Sequence, residues 1–386
     1  MKKLEDYKED IAKCSKCGLC QSVCPVFKET GNECAVSKGK FVMLDGVLKG
    51  DLKLNKNINK YLDMCLKCDK CSSFCPSGIN VCKIFEAAKY EYAKNTFWGK
   101  IIFFLESKYV FGNILKFIMS LRGVRKHDVV ITSNNNEIAS SHFTNAPLND
   151  VEVATDLNLL YFKGCVGNVF PQTINLLKKL PDINLIEKDF DCCGIPFLSS
   201  GNLERYEEVK AHNLKIIDEC EFDYILTDCA SCESTLKGYY NVITSPAAPT
   251  RNDTSLFINL GELLVRNNVK FKSEKPVKVT FHKPCHLKNT DFVKQLFKNC
   301  ENIEYVEMKN FDDCCGFAGE FAIKKHKLSV DISKKKAKNI IETGADIVVT
   351  TCPSCIMGLK QGLLGMKNAP KVLSLSELLL NLKIEV

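Results

Sequence analysis

Several features are scarce or missing in this 386-residue chain, and each absence removes a class of protein. No run of roughly eighteen apolar residues occurs, and the best candidate, Ile101 to Leu105, is cut by Glu106 and Lys108; a membrane-spanning helix is therefore not expected. The opening MKKLEDYKEDIAKC has neither an apolar core segment nor a small-residue cleavage site, so a reducing, cytoplasmic setting is expected. No G-x-G-x-x-G or P-loop run appears, which argues against a flavin or nicotinamide site in this chain. No basic patch interleaved with aromatics stands out, so no nucleic-acid partner is expected. Cysteine is missing from about residue 95 to 155, yet the rest of the chain holds twenty-two.

What is present starts with those cysteines. Disulfides belong chiefly to secreted chains, whereas cysteine clusters in a reducing compartment more often carry metal or redox chemistry. With 45% hydrophobic residues the chain is neither disordered nor fibrous, and its length suits two or three domains. The formal charge of +7 overstates its basicity. Two cubanes held by thiolates, at about −2 each, would remove about four units.

Cys14, Cys17, Cys20 and Cys24-Pro25 follow C-x2-C-x2-C-x3-C-P, and Cys65, Cys68, Cys71 and Cys75-Pro76 repeat it without deviation. This is the run of bacterial two-cluster ferredoxins, in which the fourth cysteine ligates the other cluster. Cys14, Cys17, Cys20 and Cys75 are expected to share one 4Fe–4S cluster, and Cys65, Cys68, Cys71 and Cys24 the second. Zinc ribbons also pair C-x2-C motifs, but a third cysteine at the same spacing followed by Cys-Pro is not a zinc pattern.

The C-terminal part contains an internal repeat. KGCVGN, DCCGIP and TDCASC recur as HKPCHL, DCCGFAG and TTCPSC about 120 residues later. Each copy offers five cysteines: Cys165, Cys192, Cys193, Cys229 and Cys232, then Cys285, Cys314, Cys315, Cys352 and Cys355. Cys165, Cys229, Cys285 and Cys352 each end an apolar run that reads as a buried parallel strand followed by a helix. The cysteines thus collect at strand carboxyl ends, where open α/β sheets place their sites, and where helix N-termini favour anionic groups. Gly194 and Gly316 are expected to allow a tight turn beside the paired cysteines. His282 and His286 flank Cys285 and read as supporting donors or strand-end residues rather than ligands. Five thiolates exceed the need of one cubane or one zinc, which suits a larger or open cluster; plain zinc binding is the simpler alternative. Cys82, Cys220 and Cys300 read as core thiols, and Cys34 has no evident role.

The expected architecture is α+β overall. An N-terminal helical two-cluster ferredoxin-like domain (1–94) leads through a helical connector and Ser/Asn-rich linker (95–155) to two pseudo-symmetric α/β CCG lobes (156–272 and 273–386). The connector helices suit packing between domains, with a partner or membrane-surface contact as the alternative.

On these motifs, including CGLCQSVCPVFKETG, HKPCHL and CCGFAGEF, the chain resembles the iron–sulfur subunits of glycolate oxidase and anaerobic glycerol-3-phosphate dehydrogenase, and the catalytic subunit of membrane-type heterodisulfide reductase. The resemblance covers nearly the whole chain. It implies two 4Fe–4S clusters and one or two further, non-cubane 4Fe–4S clusters held by the five-cysteine sets. For the dehydrogenases it implies electron relay from a FAD-containing subunit to a quinone or other acceptor, with peripheral seating at the inner face of the cytoplasmic membrane. For the reductase it implies disulfide cleavage between the CCG clusters. In the dehydrogenase subunits one lobe has often lost part of its set, whereas both are complete here.

Overall fold

The computed structural model describes residues 3–96, 157–165, 172–240 and 256–385. The connector helices and linker expected after residue 95 fall almost wholly outside the described residues.

The described residues up to Lys94 form helices and loops without a strand. In both cysteine runs the second residue after the first cysteine and the residue after the second cysteine are left-handed: Lys16 and Gly18, then Lys67 and Asp69. Each loop thereby curls around a centre, and the equal dihedral pattern shows that the sequence duplication is also a structural one. Pro25 starts the helix Pro25–Thr30 at its first position, where a missing N–H costs nothing. Behind the loops, the helices Ser37–Lys49 and Val81–Lys94 cross with Phe41 and Phe85 rings 5.6 Å apart. Leu4, Ile11, Leu44, Ile84 and Ala88 complete that core.

Apolar, β-branched runs then build two sheets. The first contains β1 (Leu157–Tyr161), β2 (Ile183–Glu187), β3 (Tyr224–Thr227) and β4 (Phe257–Asn259), all parallel in the order β2-β1-β3-β4. The second contains β5 (Lys270–Phe281), β6 (Cys300–Tyr305), β7 (Ile347–Thr350) and β8 (Lys371–Ser374) in the matching order β6-β5-β7-β8. A short β9 (Lys383–Glu385) adds an antiparallel edge on β5. Identical strand orders make the lobes pseudo-symmetric. The position expected for the junction between lobes, after residue 272, falls inside β5.

The two lobes do not have separate cores. Leu159, Tyr161 and Leu226 of the first sheet belong to one buried cluster with Val279, Phe281 and Val349 of the second. The opposite face of the first sheet, with Leu160, Phe162 and Ile225, packs around Cys193 and Cys232 and reaches Tyr90 of the N-terminal domain. Val26, Ala35 and Leu66 of the N-terminal domain meet Cys314, Phe321 and Ile332 of the second lobe.

Buried lysines pin these surfaces. Lys89 pairs with Asp63 at 2.9 Å and with Glu320 of the second lobe at 2.7 Å, and it donates to the Ser199 carbonyl of the first lobe. Lys67 pairs with Glu86 at 2.7 Å and donates to the Leu198 carbonyl at 2.8 Å.

Candidate metal centre

Four groups of thiols stand on this scaffold. One cavity is lined by Cys14, Cys17, Cys20, Cys71 and Cys75, the first three cysteines of one run and the last two of the other. A second is lined by Cys24, Cys65, Cys68 and Cys71, so Cys71 borders both. The last cysteine of each run, followed by proline, thus borders the cavity of the other run. Cys82 also borders the second cavity; it is buried, as a core thiol should be, but it is not remote from the site.

These surroundings fit iron–sulfur clusters. The grouped donors are sulfur, with apolar walls such as Phe41 and Val81 in the first cavity and Leu66 and Phe85 in the second. Backbone N–H groups point at sulfur: Lys67 donates to Cys65 Sγ at 3.4 Å, and the Leu19 N–H holds the exposed Cys17 thiol below its ordinary range. Burial, with Cys65 next in effect, pushes the Cys71 thiol up to about 12. Thiols this hard to ionise alone become good ligands when a metal supplies the missing positive charge.

In the first lobe, Cys165 touches Cys192, Cys192 touches Cys193, Cys193 touches Cys232, and Cys232 touches Cys229. In the second, Cys285 touches Cys314, Cys314 touches Cys315, Cys315 touches Cys355, and Cys355 touches Cys352. The two sets meet, because Cys229 and Cys352 are in contact with each other. Ala230 N–H donates to the Thr351 carbonyl at 2.9 Å across the same junction. Cys68 of the second ferredoxin group lies near Cys285 and Cys314, and one surface cleft has Cys68 and Cys285 on its walls.

Local structure places these sulfurs. Cys229 and Cys352 cap the N-termini of the helices Ala230–Tyr239 and Pro353–Leu363, directly beyond the carboxyl ends of β3 and β7. Gly194 and Gly316 have φ of +89° and +80°, a region closed to most side chains. A Cβ on Gly316 would lie 2.6 Å from the Ser329 carbonyl oxygen.

The residues that hold the paired-cysteine loops differ between the lobes, and sequence reasoning missed them. In the first, Asn213 accepts from the Asp191 N–H and donates to the Cys192 carbonyl, while Tyr240 donates to the Cys193 carbonyl. In the second, Ser329 and Ser333 donate to the Gly316 and Cys315 carbonyls, both at 2.8 Å. Gln361 donates to both serines, and the buried Lys336 donates to the Asn310 carbonyl. Their only signal in sequence is a polar residue on the buried side of an amphipathic helix.

The two histidines part company. His286 has both ring nitrogens engaged, Nδ1 with Ser231 Oγ at 3.0 Å and Nε2 with the Lys67 carbonyl at 2.7 Å. His282 is fully buried, and neither of its ring nitrogens has a hydrogen-bond partner. Burial, then the Lys336 ammonium, hold it well below the ordinary histidine range.

Comparison with known proteins agrees with this anatomy. Residues 10–79 match the 4Fe-4S dicluster domain family, and residues 159–237 and 279–360 each match the cysteine-rich domain family known as CCG. A probable glycolate oxidase iron-sulfur subunit of Bacillus subtilis is 24% identical over 96% of this chain and 94% of its own length. One component of a dihydromethanophenazine:CoB–CoM heterodisulfide reductase from Methanosarcina acetivorans is 22% identical, over 92% and 89%. Lactate utilization protein A of an Exiguobacterium species is 25% identical over 58% of this chain and 96% of its own length. Among the described residues no helix is long and apolar enough to cross a membrane. This chain belongs to the family of iron–sulfur proteins that join a 4Fe-4S dicluster domain to two cysteine-rich CCG domains, whose relatives named above include oxidoreductase subunits.

Proposed function

We propose that this chain is the electron-relay subunit of a flavin-dependent 2-hydroxyacid dehydrogenase of the glycolate or lactate type. It takes electrons from a FAD-containing partner subunit and passes them to a quinone or another acceptor, at or near the inner face of the cytoplasmic membrane. Cys14, Cys17, Cys20 and Cys75 hold one 4Fe–4S cluster, Cys24, Cys65, Cys68 and Cys71 the second, and each five-cysteine set in the lobes a further centre. The observation that carries the reading is the unbroken succession of sulfur sites. Cys68 faces Cys285 and Cys314, and the second lobe's thiols run on to the first lobe's through Cys352 and Cys229. The absence of a nucleotide-binding fingerprint leaves two-electron oxidation of the acid to the partner.

The test is anaerobic co-purification with a flavoprotein followed by hydroxyacid-dependent dye reduction. The reading fails if the chain accepts electrons from viologen to reduce disulfides and ignores every hydroxyacid.

One observation favours a second reading, a disulfide or heterodisulfide reductase with its active site at the lobes. All ten lobe cysteines are present, and the two sets touch at Cys229 and Cys352. A cleft lined by His286, Lys67, Glu233 and Tyr239 reaches that junction only through His286, whose ring bonds Ser231 beside Cys352. An oxidised paramagnetic state that responds to added thiol would favour this reading, and cubane signals alone would remove it.

A further inference from the structure

We propose that His282 is a metal ligand in the second lobe, so that the two lobes hold chemically different centres: thiolate-only in the first, thiolate and imidazole in the second. The inference rests on the reading above that the second lobe carries an iron–sulfur centre, and it adds the identity of one donor.

The geometry is specific. His282 directly follows the last residue of β5, and its backbone N–H donates to the Val349 carbonyl at 2.8 Å, continuing the sheet ladder. The side chain is therefore fixed at the strand's carboxyl end, inside the protein, with no exposed surface. A ring nitrogen of His282 and the Sγ atoms of Cys315 and Cys355 all lie within 4.8 Å of one another. Neutral imidazole has one donor and one acceptor, and buried polar atoms are almost always paired. Here both nitrogens stand unpaired among protein atoms. A metal held between Cys315 and Cys355 takes the lone pair of one of them.

The repeat supplies an internal control. HKPC at 282–285 corresponds to FKGC at 162–165, so Phe162 occupies the equivalent place in the first lobe. It is equally buried and packs its ring 4.8 Å from that of Phe190. One lobe fills the position with a hydrocarbon ring and the other with a nitrogen donor. The second lobe keeps all five of its cysteines, so the imidazole is an added neutral donor and not a replacement for a thiolate.

The full-length chain, purified without oxygen, is compared with natural and with nitrogen-15 histidine by pulsed EPR. The expected result is a strong, directly bound nitrogen coupling that changes with the label. It disappears in His282→Phe and survives in His286→Phe, while the signals of the other centres persist. Labelling the unmutated chain keeps the test valid if His282→Phe does not fold, and His282→Cys should retain iron and lose the coupling. Iron in the second lobe with only weak histidine coupling, or none, overturns the proposal alone. A second lobe free of iron overturns the underlying cluster reading together with it.

Discussion

Cys24 and Cys75 each stand in the run of one ferredoxin loop and line the cavity of the other. That exchange yields a prediction opposite to what linear sequence suggests. Cys24→Ser should disturb the EPR signal of the cluster at Cys65, Cys68 and Cys71, and spare the one at Cys14, Cys17 and Cys20. Cys75→Ser should do the reverse. If each variant damages the cluster of its own run, the crossed grouping is wrong. Cys300 is the contrasting case: it is buried and donates to the Leu296 carbonyl at 3.3 Å, away from the other thiols. Cys300→Ser should keep all its iron and lose about 1 kcal/mol of stability, read from the denaturant midpoint. The ferredoxin motifs were legible in the sequence because each sets three cysteines within seven consecutive residues, a local property. The Cys229–Cys352 contact was not, since these residues lie over a hundred positions apart and meet only when two sheets pack together.

At the scale of elements, both paired-cysteine loops depend on a glycine in the left-handed region and on polar side chains from a helix behind. Gly316 is the less forgiving of the two, because an added Cβ meets the Ser329 backbone and Ser333, whereas at Gly194 it meets side chains only, the buried ring of Tyr206 and Val209. Gly316→Ala should cost about 2–4 kcal/mol, and iron analysis should show the second lobe's centre depleted. Gly194→Ala should cost less, and equal losses would count against this ranking. Strand-then-helix order and the glycine turns could be read from apolar runs ending in cysteine. Which helix residue holds each loop could not. Asn213 with Tyr240 in one lobe and Ser329 with Ser333 in the other do the same work with different chemistry, so the repeat gives no matching signal.

Across the whole molecule, the three parts converge on Lys89. This lysine is 5% exposed and holds Asp63 of the ferredoxin domain, Glu320 of the second lobe and the Ser199 carbonyl of the first. Removing one partner from a buried ionic cluster leaves charges without compensation, so Lys89→Met should cost about 3 kcal/mol. It should also open the domain junction to protease before the iron is lost. Unchanged protease resistance would mean that the apolar contacts alone hold the domains. Nothing in the sequence marks Lys89 among its many lysines, because its role is defined by what folds against it.

All of this depends on sulfur binding iron where the fold brings the thiols together. The most direct measurement is iron and acid-labile sulfide per chain in an oxygen-free preparation, with EPR of the reduced protein. The account predicts a brown protein with about eight irons for the two cubanes and more from the lobes. A colourless, iron-free chain that is nevertheless correctly folded would contradict it.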